Sequence, residues 1–91
     1  MSKRIADLEI RPECLCSFEQ WVPPSKEEVN RVLDHLKDTK GANKTEVARI
    51  TGVLRRQVYR WSAGDVDMRY AEWALLCYEA GLGEIWRQPA K

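Results

Sequence analysis

The chain predicts an all-α fold, a compact four- to five-helix bundle with an N-terminal arm, and three observations point that way. Apolar residues recur at helical spacing behind N-terminal caps at Ser25 and Asn43. Strand signals are weak throughout. Ala48, Gly52, Val58 and Trp61 fall at the spacing needed by two helices that cross steeply. Such a crossing requires a small side chain where the axes come closest and a residue tolerant of positive φ at the corner.

Composition narrows the class before any single element is considered. The 91 residues are 44% hydrophobic and 32% charged, the balance of one soluble globular domain. A core of this size is modest, and oligomerisation is a common source of additional stability. No apolar run approaches the ~20 residues needed to span a bilayer. The N-terminal stretch has basic residues but neither a continuous apolar segment nor a small-residue cleavage pattern, so a cytoplasmic protein with no membrane partner is expected. Cys14, Cys16 and Cys77 form neither an even disulfide set nor a Cys-x-x-Cys pair. Cys77 has the setting of a core residue. Cys14 and Cys16 with His35 match zinc spacing poorly, so reduced thiols and no metal or cofactor are expected.

Residues 1–24 form the arm. Ile5, Leu8 and Arg11 suit one helical turn, and the segment from Cys14 to Val22 alternates loosely, as a short strand would. Pro12, Pro23 and Pro24 interrupt it. A flexible arm is one reading. Leu15, Phe18, Trp21 and Val22 are costly to leave in water, which favours an arm packed on the body or on a second subunit.

Residues 25–91 form the domain proper. Ser25-Lys-Glu-Glu28 is a capping box that opens the first helix, and Val29, Val32, Leu33 and Leu36 give it an apolar stripe. Lys37 and Lys40 suit its C-terminal dipole, and Gly41 stops it. His35 lies off the stripe and is expected in solvent. Asn43 caps a second helix, with Glu46 completing another capping box. That helix runs to about Thr51 and turns at Gly52. A third helix carries Arg55 to about Ala63 and stops at Gly64. Val47, Ile50, Val53, Val58 and Trp61 then face the core, leaving Arg55, Arg56, Gln57, Tyr59 and Arg60 outward. Asp67 caps the last helix, Met68 to about Ala80, followed by Gly81 and Leu82.

The last helix is apolar on two faces, Ala71, Ala74, Leu75 and Tyr78 on one, Trp73, Leu76, Cys77 and Ala80 on the other. A surface helix normally has a wider polar face. The arm, the tail from Gly83 to Arg87 or a partner subunit must cover the excess. Trp73, Leu76, Ile85, Trp86, Phe18 and Trp21 are therefore the candidate subunit interface.

Net charge is only +1, but between Lys44 and Arg60 five basic residues stand against one acid, Glu46. A basic face on a nearly neutral protein is a directed electrostatic footprint. The outward arginines of the third helix suit base edges and phosphates.

Residues 43–64 resemble the lambda-repressor and Cro type of helix-turn-helix, in which the Ala, Gly, Val and Trp positions agree in order and spacing. The resemblance extends over residues 25–82. It implies a DNA-binding domain that dimerises on a palindromic operator in double-stranded DNA and usually represses transcription. Carried onto this chain, it places Leu54, Arg55, Arg56 and Gln57 at the start of the recognition helix, with Tyr59 and Arg60 one turn on. Arg55, Arg56 and Arg60 are the expected base readers, each able to pair with guanine O6 and N7, which predicts a G·C-containing half-site. Gln57 reads adenine or bonds to phosphate. Asn43 and Lys44 match the backbone clamp, and Tyr59 either contacts phosphate or is simply exposed. Leu54 departs from the family, where serine or threonine usually caps this helix, and it suits a thymine methyl instead.

The expected function is thus a sequence-specific transcriptional regulator, a homodimeric repressor of its own operon on a phage or plasmid. The alternative is an antitoxin or other protein-interaction module of a mobile-element operon. An enzyme is not expected, since the chain has one histidine, no paired carboxylates near a nucleophile and no glycine-rich phosphate loop. There is no room for a ligand domain, so no small-molecule ligand is expected either.

Overall fold

Four α-helices, α1 (Lys26–Lys40), α2 (Lys44–Thr51), α3 (Arg55–Ala63) and α4 (Tyr70–Glu79), make up the body of the computed structural model, which describes residues 8–87. Short 3-10 turns at Pro12–Cys14, Phe18–Gln20 and Ile85–Arg87 flank them, and no strand occurs among the described residues. The all-α expectation holds. Ile5 lies outside the described residues.

α1 starts as its sequence dictates. The Ser25 hydroxyl accepts from the Glu28 amide at 3.2 Å, and the Glu28 carboxylate accepts from the Ser25 amide at 2.8 Å. Val29, Val32, Leu33 and Leu36 are buried, and Gly41 ends the helix in the left-handed conformation. His35 corrects the sequence reading, because it is buried rather than solvated. The arm causes this: Leu8 lines the same shallow cleft as His35, and Arg31 donates to the Glu9 carbonyl at 3.1 Å, holding the arm along that flank.

The Asn43 side chain caps α2 by accepting from the Glu46 amide at 3.0 Å. The reciprocal half of the expected box is missing, since the Glu46 carboxylate pairs with Arg49 at 2.7 Å instead. At the corner, Gly52 has φ 75°, and its amide donates to the Ala48 carbonyl at 2.8 Å. A side chain there would be strained by the backbone alone, which is why the position is a glycine. Ala48, Val47, Val58 and Trp61 are buried around this corner. Val53 is only half-buried against the core, and half-buried Ile50 is not part of the core cluster.

The last helix begins at Tyr70, three residues after the Asp67 cap expected from sequence. Met68 is drawn into the core within the non-helical connection, and Glu72 accepts from the Arg69 amide at 3.3 Å in place of a side-chain cap. The α4 face formed by Trp73, Leu76, Cys77 and Ala80 is buried by its own chain, whereas on the other face Ala74 is buried but Ala71, Leu75 and Tyr78 stay exposed. The arm forms no strand. It folds into 3-10 turns that bury Cys14 and Cys16 and aim carbonyl groups at α4. The Trp73 indole donates to the Cys14 carbonyl at 2.7 Å, and the Tyr70 hydroxyl donates to the Cys16 carbonyl at 2.8 Å. The rings of Phe18 and Trp21 meet Tyr70 edge-on, with centroids 5.5 and 5.2 Å away. From the other side, the tail buries Ile85 and lays Trp86 beside Tyr78.

Of the residues expected at a subunit interface, Trp73, Leu76 and Ile85 are each fully enclosed within their own chain. Phe18 and Trp86 are exposed and Trp21 is half-buried.

One ion pair holds the arm in place. The Glu28 carboxylate, buried and already capping α1, also accepts from the Arg11 backbone at 2.8 Å and from its guanidinium at 2.9 to 3.1 Å. Burial opposes ionisation of Glu28, but the hydrogen bonds from Arg11 and Ser25 outweigh it and hold the carboxyl at about 2. The same carboxylate, together with burial as the larger cause, pushes the neighbouring Cys14 thiol up to about 12.

Candidate nucleic-acid interface

α3 is fixed from its inner side. Val58 and Trp61, one turn apart, are buried, and the C-terminal end is tied to α1 by Ser62 donating to the Asn30 side chain while Asn30 donates back to the Ser62 carbonyl at 2.9 Å. The Trp61 indole N–H has no acceptor among the described residues, and its ring packs in the core cluster. Gly64 closes the helix where the chain passes Lys26, and an added Cβ there would come within 3.0 Å of that side chain.

The outer side is what this anchoring leaves free. Leu54, Arg55, Arg56, Tyr59 and Arg60 are exposed, whereas Gln57 is half-buried. Leu54 precedes the first turn in extended backbone without capping it, and at 69% exposure it is the most prominent apolar side chain of this face. None of Lys44, Arg55, Arg56 and Arg60 has an ion-pair partner among the described residues. Arg49 differs, since its pairing with Glu46 lowers that carboxyl's pKa and cancels its charge locally.

Two clefts of about 330 Å³ flank α3. One lies toward the start of α2 and is lined by Asn43, Lys44, Thr45, Arg55 and Tyr59, with Lys37 of α1 at its edge. Within it the Lys44 ammonium stands 5.4 Å from the centroid of the Tyr59 ring, and Arg55 donates to the Thr45 hydroxyl at 3.4 Å. The other cleft lies toward the α3–α4 connection and is lined by Leu54, Arg56, Gln57 and Arg60, with Arg69 and Asp67 beyond.

The structure thus gathers Asn43, Lys44, Arg55 and Tyr59 around one cleft and Leu54, Arg56, Gln57 and Arg60 around the other, while Leu54, Arg55, Arg56 and Tyr59 also share an open concavity on the outer face. Thr45 and Arg69 were missed by the sequence reading. Thr45 sits second in α2, where the cap is the dominant sequence signal, and Arg69 follows an acidic loop that hides a lone cation. Asn43 spends its side-chain oxygen on the cap of α2, leaving its amide group for any further contact.

Among the described residues no cluster of three or more His, Cys, Asp or Glu is placed to hold a metal ion, and no helix is long and apolar enough to cross a membrane.

Two transcriptional repressor proteins named KorC, both from Escherichia coli, are similar to the chain. One is 43% identical over 82 residues, covering 90% of this chain and 95% of its own length. The other is 39% identical over 83 residues, covering 91% and 96%. No family model and no solved structure matches the chain. With identity of that order over nearly the full length of both partners, the chain belongs to the family of KorC transcriptional repressor proteins.

Proposed function

We propose that this protein represses transcription by binding a palindromic operator as a homodimer, with α2 and α3 acting as a helix-turn-helix of the lambda-repressor and Cro type and α3 lying in the major groove. The observation that carries this is the outer side of α3, where Leu54, Arg56 and Arg60 are exposed and the two arginines are without ion-pair partners among the described residues. Unpaired guanidiniums on a rigid helix supply the forked donors that guanine O6 and N7 accept. Gln57, half-buried beside them, reaches adenine or phosphate, and Leu54 meets a thymine methyl. Asn43, Lys44 and Tyr59 contact the DNA backbone and set the register.

One short helix reads few base pairs, and two-fold pairing doubles the readout over half-sites ~34 Å apart. With Trp73, Leu76 and Ile85 inside the subunit, Phe18, Trp86 and half-buried Trp21 are the members of the expected interface that a second copy can still touch. The protein acts in the cytoplasm on a plasmid or other mobile element, blocking the promoter of its own operon. Random-library binding selection followed by footprinting upstream of its gene tests this, and absence of a protected palindrome there would reject autoregulation.

The roles of individual side chains are separable. Arg56→Ala is expected to relax specificity at one base position, with loss of about 1–3 kcal/mol on the selected sequence and little on random DNA. Lys44→Ala is expected to weaken binding to every sequence and to reduce the salt slope by about one phosphate's worth. Equal losses on selected and random DNA for both variants would overturn the assignment.

A further inference from the structure

The cations of α3 form two groups. Arg55 and Tyr59 stand one turn apart on the flank facing α2, and Arg56 and Arg60, also one turn apart, are rotated from them by ~100° toward the α3–α4 connection. A guanidinium that reads a base must reach forward into the groove with both donors free. Arg55 is instead turned back, one of its nitrogens 3.4 Å from the Thr45 hydroxyl on the first turn of α2. Around the cleft it helps to line stand Lys37, Lys44 and Arg55, with Asp34 the acid among the lining residues. None of these four is ion-paired among the described residues. The three cations thus outnumber the single lining acid, and the cleft holds an excess of positive charge that no ion pair among the described residues neutralises. Lys44 is held in place over the Tyr59 ring at 5.4 Å, which leaves the tyrosine hydroxyl as a further donor.

We propose that this cleft is the seat of a single DNA backbone phosphate, gripped by Lys44, Arg55 and the Tyr59 hydroxyl, so that Arg55 fixes the register of α3 while Arg56 and Arg60 read the bases. The inference rests on the DNA-binding reading above and narrows it, because it removes Arg55 from the base-reading set. Phosphate recognition here needs charge more than forked geometry, and lysine can supply charge where arginine does. Base reading through a guanidinium fork loses its rigid two-donor geometry in that exchange, and with it affinity for the selected sequence.

The test uses the full chain with two duplexes, the tightest one recovered from a random-library selection and one of random sequence, titrated over a range of salt. Arg55→Ala is expected to weaken binding to both by the same factor, about tenfold, and to make the salt slope shallower by about 0.9. Arg55→Lys is expected to restore both affinities, and Arg56→Lys to lose about tenfold on the selected duplex while leaving the random one unchanged. Lys44→Ala combined with Arg55→Ala should cost less than the product of the single losses, as expected for two groups on one phosphate. If Arg55→Lys loses affinity on the selected duplex alone, Arg55 reads a base and the seat is wrong. If the unmodified chain shows no salt-dependent binding to either duplex, the DNA-binding reading itself fails. All the substituted side chains are exposed or half-buried, so circular dichroism should report unchanged folding throughout.

Discussion

Trp73→Ala is expected to lose about 4 kcal/mol of folding stability, the largest effect of any single substitution considered. The indole is fully buried and packs within the main core, and its N–H is bound to the Cys14 carbonyl at 2.7 Å. Removing it opens a cavity and takes away one of the two indoles that donate to that carbonyl, the other being Trp21 at 3.2 Å. A domain of this size commonly has a total stability of roughly 5–14 kcal/mol, so the variant should lose a large share of it and unfold at markedly lower urea. Urea titration followed by circular dichroism measures this directly. Trp86→Glu, at a side chain 42% exposed, should in contrast leave the subunit folded and act through the proposed subunit contact, lowering the apparent midpoint only as far as association stabilises the fold. Had Trp73 served a subunit contact, Trp73→Ala would remain folded and merely sediment as a smaller species, and that outcome would reject its structural role.

Glu28→Gln is expected to cost roughly 2–3 kcal/mol, discounted for the half-exposed Arg11 guanidinium. The carboxylate serves two elements at once, capping α1 through Ser25 and holding the arm through Arg11. Its pH dependence follows from the sign of the shift. With the carboxyl held at about 2 in the folded chain against an ordinary 4.5, the unfolded chain binds the proton more readily. The stabilisation is complete above the ordinary value and is lost as pH falls toward 2. Urea midpoints measured from about pH 6 down to about pH 2 should therefore converge for the unmodified chain and Glu28→Gln, while differing at the upper end. A gap that stayed constant with pH would show that the charge on Glu28 contributes nothing.

What the sequence revealed was decided locally. Ser25 and Glu28 find each other three residues apart, Asn43 caps with its own side chain, and Gly52 and Gly64 mark the ends of α2 and α3. Those features need only short-range geometry. The arm was opaque because its structure depends on partners far along the chain. Arg11 meets Glu28 across 17 residues, and Trp73 meets Cys14 across 59. An alternating pattern such as Cys14 to Val22 suits a strand only if another strand is at hand, and α4 offers donors from indole and phenol groups instead. The same long-range packing encloses Trp73, Leu76 and Ile85 and buries His35, which helical spacing alone left open to a partner or to solvent. In the candidate site, the exposed residues of α3 were readable from helical spacing, whereas their division between two clefts depends on where α2 and the α3–α4 connection lie.

The arm's burial of Cys14 and Cys16, alongside Cys77 in α4, equips the molecule with internal reporters of its own breathing. A thiol held at about 12, as Cys14 is, stays protonated and inaccessible while the arm is seated. Reaction with an alkylating reagent must then wait for an opening event, and its rate measures how often one occurs. Joint labelling of Cys14 and Cys16 ahead of Cys77 would reveal an arm that lifts as a unit while the helices stay together. Simultaneous labelling of all three would mean that arm and bundle open in a single cooperative step.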